Sequence, residues 1–172
     1  VDLVGSAHIQ VDGTLANPVS ETSWLSKLSK SGIPSAIVGF VDLTKEDAEA
    51  VLKNLLSFDE FRGVRQIIGF LEQRPDLSFT KEHLLRNSIW QKNFALLDKH
   101  NLSFDLQLYP EQMKEAAEFL GGFPKMPIVI DHAGSPYDQA DSGISLWREG
   151  LSELAKLPNI HIKLSGFGMY DS

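Results

Sequence analysis

Cysteine is absent from all 172 residues. That excludes disulfides, thiolate catalysis and Cys-ligated zinc or iron–sulfur centres, so any metal has to be held by His and carboxylate ligands. Long apolar runs are missing too, and the opening Val1-Asp2-Leu3-Val4 lacks the basic segment of a signal peptide; the expectation is a cytoplasmic protein with no membrane partner. Positive charge is scarce. Sixteen Lys and Arg stand against 23 Asp and Glu, a net charge of −7, and no basic stripe interrupts the scatter, which argues against nucleic acid. Glycine-rich phosphate fingerprints are also lacking, because His8-Ile9-Gln10-Val11-Asp12-Gly13 matches neither G-x-G-x-x-G nor the P-loop.

What the chain does have is repeated alternation between short apolar strands and helical segments. Leu3 to Gln10 reads as a strand, and Glu21 to Ser31, preceded by Ser20, as a helix with Trp24, Leu25 and Leu28 at helical spacing. Ile33 to Val41 is the second strand, followed by a helix from Lys45 to Ser57 with Thr44 as its N-cap. Arg62 to Gly69 then leads through a long polar loop to a helix from Ile89 to His100. Leu102 to Tyr109 precedes a helix from Glu111 to Leu120, and Pro127 to Asp131 one from Leu146 to Lys156; Ile160 to Ser165 is the sixth strand. No linker divides the series, so residues 1–172 form one domain.

Such a chain is a parallel α/β protein, with chemistry at the carboxyl ends of its strands. Two architectures fit: an open doubly wound sheet, or a (β/α)8 TIM barrel of which six strands are present. Side-chain parity favours the barrel. Ser6, His8 and Gln10 share one face, as do Asp105, Gln107 and Tyr109, then Ile128, Ile130 and His132, then His161, Lys163 and Ser165, while mostly apolar residues take the other. A polar-tinged interior with an apolar helix-facing exterior is the pattern of a barrel whose mouth carries the site.

Seven segments arrive in an order that resembles the amidohydrolase-related TIM-barrel hydrolases, in the branch of fuconolactonase and pyrone-dicarboxylate lactonase. They are His8-Ile9-Gln10, Glu21-Thr22-Ser23-Trp24-Leu25, Ala36 to Leu43, Arg62-Gly63-Val64-Arg65-Gln66, Phe104-Asp105-Leu106-Gln107, Asp131-His132-Ala133-Gly134 and Pro158 to Gly166. The family pattern also has a first strand bearing His-x-His and a last strand bearing an Asp, neither of which occurs here. The resemblance therefore implies an incomplete barrel, about strands two to seven, and a chain that is catalytically poor by itself.

The resemblance implies hydrolysis of a small sugar lactone or a carboxylate-bearing lactone by the complete enzyme. It makes His132 the catalytic candidate, a mouth-facing histidine that ligates a divalent metal such as zinc or manganese or, with no metal, polarises the scissile carbonyl. Arg65 would bind substrate, since a guanidinium on a strand needs an anion or an internal acid such as Asp105. Gln107 and Tyr109 would hydrogen-bond the lactone, His8 and Gln10 would line the mouth, and Lys163 would be a substrate ligand or the member of an internal ion pair. His161 reads as a deeper structural residue, His83 and His100 as solvated or capping, and Trp24, Trp90 and Trp147 as packing residues. Alternatives on the same scaffold are a metal-dependent amidohydrolase or decarboxylase, and a non-catalytic assembly module. Unpaired sheet edges leave a homo-oligomer open.

Overall fold

The computed structural model describes residues 2–11, 17–30 and 32–170. Strands and helices alternate through β1 (Ala7–Ile9), α1 (Pro18–Ser29), β2 (Ala36–Phe40), α2 (Ala48–Leu55), β3 (Phe61–Ile67), α3 (Ser88–Lys99), β4 (Ser103–Gln107), α4 (Pro110–Leu120), β5 (Ile128–Ile130), α5 (Asp141–Leu154) and β6 (Ile160–Ile162). Every neighbouring pair is parallel, and the order is sequential from β1 to β6. A doubly wound sheet would reverse its order at a switch point; this one does not, so the architecture is an incomplete (β/α)8 barrel.

Apolar residues at strand period 2 and helix period 3.6 meet in one layer between sheet and helices. Val64, Phe104, Leu106, Ile128 and Ile130 of the sheet pack with Leu52, Trp90, Phe94, Leu97, Met113 and Leu154 of the helices. On α3 the buried Trp90, Asn93, Phe94 and Leu97 recur at i, i+3, i+4 and i+7, and the Asn87 side chain caps the helix by accepting from the Ile89 and Trp90 amides. Phe94 sits edge-on to Phe104 at 5.0 Å between ring centroids. Gly63 lets β3 and β4 approach, since a Cβ there would lie 2.1 Å from Ser103 Oγ.

Several local expectations shift. Helix α1 begins at Pro18 with Asn17 as its cap, three residues before the expected Glu21, because proline fits the first helical turn and the Asn17 side chain accepts from the Val19 amide. Thr44 does not cap α2; its hydroxyl donates to Asp42 Oδ1 at 2.6 Å, and the helix starts at Ala48. Helix α5 starts at Asp141 rather than Leu146. Trp24 is 58% exposed, a correction to its assignment as a packing residue, whereas Trp90 is fully buried as expected.

Candidate active site at the carboxyl ends of the strands

Register brings the polar residues of four strands to one level. Arg65 pairs with Asp105, which pairs with Val129, which pairs with His161; Ile67 pairs with Gln107. Past the strand ends the ladder continues, with the Asp131 amide donating to the Leu106 carbonyl at 2.9 Å and the Lys163 amide to the Ile130 carbonyl at 2.9 Å. Two residues along each strand returns a side chain to the same face, so Asp131 follows Val129 inward and Lys163 follows His161.

Four alternating charges meet there. Arg65 Nε faces Asp131 Oδ2 at 3.1 Å, and Lys163 Nζ faces Asp131 Oδ1 at 2.6 Å; both are ion pairs without an aligned hydrogen bond. Lys163 also bonds Asp105. The Arg65 fork donates in addition to Gln107 Oε1 at 2.9 Å and to the Gln10 carbonyl at 3.0 Å. Asp105 and Asp131 are buried, so each carboxylate depends on neighbouring cations to offset its lost hydration. Burial raises the Asp105 carboxyl above its usual value, and the Lys163 hydrogen bond and charge oppose that rise.

His132 lies beyond this cluster in a left-handed turn. His132, Ala133, Gly134 and Ser135 all have positive φ, at 50°, 53°, 78° and 51°. Three are not glycine, and each such residue costs roughly 1–2 kcal/mol unless its surroundings hold it. Here the Ala133 amide donates to the Lys163 carbonyl at 2.9 Å, and Trp147 Nε1 donates to the Ala133 carbonyl at 2.7 Å. The imidazole Nδ1 lies 3.1 Å from Ser165 Oγ. Nε2 has no protein partner among the described residues.

The other candidates are distributed around this centre. Gln10 is buried, joins β2 through its amide, which donates to the Val38 carbonyl at 2.8 Å, and lines a cleft of about 430 Å³ with Phe40, Asp42, Ile67 and Phe79. His8 pairs with Glu21 at 2.7 Å rather than with the charge cluster. Tyr109 stands just beyond β4 and donates to the Leu77 carbonyl at 2.7 Å, pinning the loop that follows β3. Burial, reinforced by Tyr170 and Glu111, pushes its phenol up to about 12, so it acts as a donor at neutral pH. His161 is exposed on the inward face, a correction to its structural assignment. Burial lowers the pKa of His83, which packs edge-on to Phe70.

Two further corrections concern parity and pairing. Ile128 and Ile130 belong to the helix-facing core, so the expected inward trio of Ile128, Ile130 and His132 does not exist. Letting His132 set the parity of β5 fails because the left-handed turn has already broken the strand. The alternation of Ile128 and Ile130 with Val129 would have pointed to Asp131, which was not among the candidates. Asp131, rather than Asp105, is the acid that Arg65 meets.

Metal binding can be tested on the same residues. Both Asp131 oxygens face cations, and among the described residues no group of three His, Asp or Glu gathers as a metal centre would require. The described residues by themselves do not assemble a complete ligand set, although His132 Nε2, with Nδ1 engaged by Ser165, is free to act as one ligand.

The Amidohydrolase family model matches residues 26–172. The chain is 35% identical over 169 residues to "Uncharacterized protein y4mH" of Sinorhizobium fredii, covering 98% of this chain and 57% of that protein. It is 34% identical over 142 residues to an L-fucono-1,5-lactonase of Burkholderia ambifaria, covering 83% of this chain and 46% of the lactonase. Among solved structures it is similar to an amidohydrolase from Burkholderia multivorans with bound HEPES, at a TM-score of 0.76 and 22% identity over 98% of this chain and 56% of that one. The same protein has also been solved with bound zinc. The chain thus spans about half the length of the curated relatives it matches.

Proposed function

The chain belongs to the amidohydrolase family, and from that premise we propose that it forms the substrate-recognition side of a hydrolase that opens a small, uncharged sugar lactone. The observation that carries this reading is the charge balance around Arg65. Arg65 and Lys163 are matched one for one by Asp105 and Asp131, so the cluster has no surplus cation to neutralise a substrate carboxylate. What it offers a ligand is oriented polarity: the guanidinium fork beside Gln107, and beyond the cluster the His132 Nε2, which has no protein partner among the described residues. The relative of known name at 34% identity acts, by that name, on a neutral sugar lactone.

Within this reading His132 donates from Nε2 to the lactone carbonyl oxygen, where negative charge develops as water adds. Addition of water and cleavage of the ring C–O bond yield the open hydroxy acid; charge collects on the carbonyl oxygen and passes to the leaving ring oxygen, which takes up a proton. Arg65 and Gln107 hold the ring substituents. The test is steady-state hydrolysis of L-fucono-1,5-lactone against a pyrone dicarboxylate by the complete enzyme of which this chain forms the recognition side. A preference for the neutral ring of about tenfold or more, corresponding to about 1.4 kcal/mol, is the expected result; a preference for the dicarboxylate, or hydrolysis of neither, overturns the proposal.

A further inference from the structure

The imidazole of His132 is held from one side by two residues that the functional reading has not used. Ser165 Oγ lies 3.1 Å from Nδ1, and this is the hydroxyl's own contact among the described residues. Beneath the ring lies Gly166, with φ +73°. A Cβ at that position would stand 2.7 Å from His132 Cβ, 2.8 Å from Nδ1 and 2.9 Å from Cγ, closer than real Cβ contacts come. The ring therefore rests against bare backbone. That backbone is itself anchored: Lys163, two residues before Ser165, joins β5 through its amide and receives the Ala133 amide at its carbonyl, and the Met169 amide closes a turn onto the Gly166 carbonyl at 3.0 Å.

Sterics and hydrogen bonding act on different degrees of freedom of this ring. The glycine leaves space for the imidazole plane, and any side chain would push it outward. The serine chooses which edge of the ring turns inward, because only a nitrogen at the Nδ1 position gains a bond there; a flipped ring would bring a carbon to the hydroxyl. We propose that Ser165 and Gly166 are positioning residues that fix the plane and edge of the His132 imidazole, so that Nε2 is the nitrogen presented to a carbonyl-bearing ligand. This rests on the reading of His132 as the carbonyl donor, and concerns how that donor is aimed. With the serine hydroxyl donating to Nδ1, the neutral ring carries its proton on Nε2, the arrangement that a donor to a carbonyl needs.

The experiment compares Ser165→Ala and Ser165→Thr with the unaltered full-chain protein, by two readouts. With L-fucono-1,5-lactone as probe, Ser165→Ala is expected to lower kcat by about tenfold or more while KM stays within about twofold, since misaiming a reacting group costs turnover more than binding. Ser165→Thr, which restores the hydroxyl, is expected to recover most of the loss. In the absence of any substrate, imidazole 15N shifts of His132 are expected to change from those of one dominant tautomer to averaged values in Ser165→Ala, and to return in Ser165→Thr. Gly166→Ala adds a steric test, with kcat falling at least as far in protein whose thermal unfolding confirms that it is folded. If the ring shifts and kcat of Ser165→Ala match the unaltered protein, the proposal is overturned. If the unaltered protein leaves the lactone intact but the ring shifts respond to Ser165, the lactone reading fails and the positioning role stands.

Discussion

Strand β4 supports two different interiors on its two faces. Phe104 and Leu106, with Leu108 just past the strand, face the helices and are 0%, 1% and 1% exposed; Asp105 and Gln107, toward the inside, are 2% and 3% exposed. Burial does not separate them, but the forces do. On the helix side many weak dispersion contacts add up, and any one can be replaced by another apolar group of similar shape. Inside, each buried oxygen relies on one particular cation or amide, and losing that partner leaves a desolvated charge. A face held by interchangeable contacts gives stability, while a face held by unique partners gives a defined geometry, which is what recognition of a ligand requires.

Truncating each face sharpens this contrast. Phe94→Ala, which empties the aromatic cluster against Phe104, is expected to cost about 3–5 kcal/mol in the full-chain protein, measured by urea unfolding. Phe94→Leu should recover most of it. Asp131→Ala takes from Arg65 its carboxylate and from Lys163 one of two, and is expected to cost about 3 kcal/mol, toward the low end for a broken buried pair because Lys163 keeps Asp105 and remains 29% exposed and partly screened. Here the refilling experiment should fail: Asp131→Leu should be no better than alanine, since volume is not what the site has lost. Equal recovery on both faces would dissolve the distinction.

The next effects are on turnover. His132→Ala is expected to lower lactone hydrolysis by about a hundredfold or more, about 2.7 kcal/mol, with unfolding nearly unchanged. His100, at the end of α3 on the helix side, should tolerate alanine with turnover close to that of the unaltered protein. Arg65→Lys follows: it keeps the charge beside Asp131 but loses the fork that also reaches Gln107 and the Gln10 carbonyl, and is expected to raise KM by about tenfold with a smaller effect on kcat. A KM unaffected by Arg65→Lys would remove the guanidinium from substrate recognition.

The helix face was the more legible of the two in the sequence. Apolar residues at period 2 on β4 and at i, i+3, i+4 and i+7 on α3 encode their direction locally, so strand order and core follow from the residues themselves. The resemblance supplied His132, and the cost of burying a guanidinium singled out Arg65. The partner of Arg65 was not legible, because Asp105 and Asp131 are both strand acids and only the three-dimensional register decides between them. The direction of His132 was still less so. Four consecutive positive φ values, three of them at residues that ordinarily avoid that region, are imposed by Trp147, Lys163 and the close approach of Gly166, not by the local sequence. Trp24 failed for the opposite reason: helical spacing places it on a face, but only packing tells whether anything covers that face.

The smallest effect separates the two faces by proton binding. Asp105 has its carboxyl raised above the ordinary 3.8, with burial as the largest cause and the Lys163 hydrogen bond and charge pulling the other way. A raised folded pKa means that the native state holds the proton more tightly than the unfolded chain does. Its contribution therefore favours folding at low pH, and is lost as pH climbs from 3.8 through the raised value. Glu115 acts in the opposite sense: its hydrogen bond from Arg86 lowers its pKa, so its contribution is present above the ordinary carboxylate range and lost on acidification. Total stability mixes the two, and a difference isolates Asp105. Asp105→Asn keeps an oxygen that can accept from Lys163 but cannot titrate, so unfolding free energies of the unaltered protein minus those of Asp105→Asn should decline as pH rises from about 4 toward neutrality. Phe104→Leu, one residue away on the helix face, should shift stability by a constant amount over the same range. A flat or rising difference for Asp105→Asn would mean that pairing with Lys163 outweighs burial, and that the inward face holds its charges at no proton-linked cost.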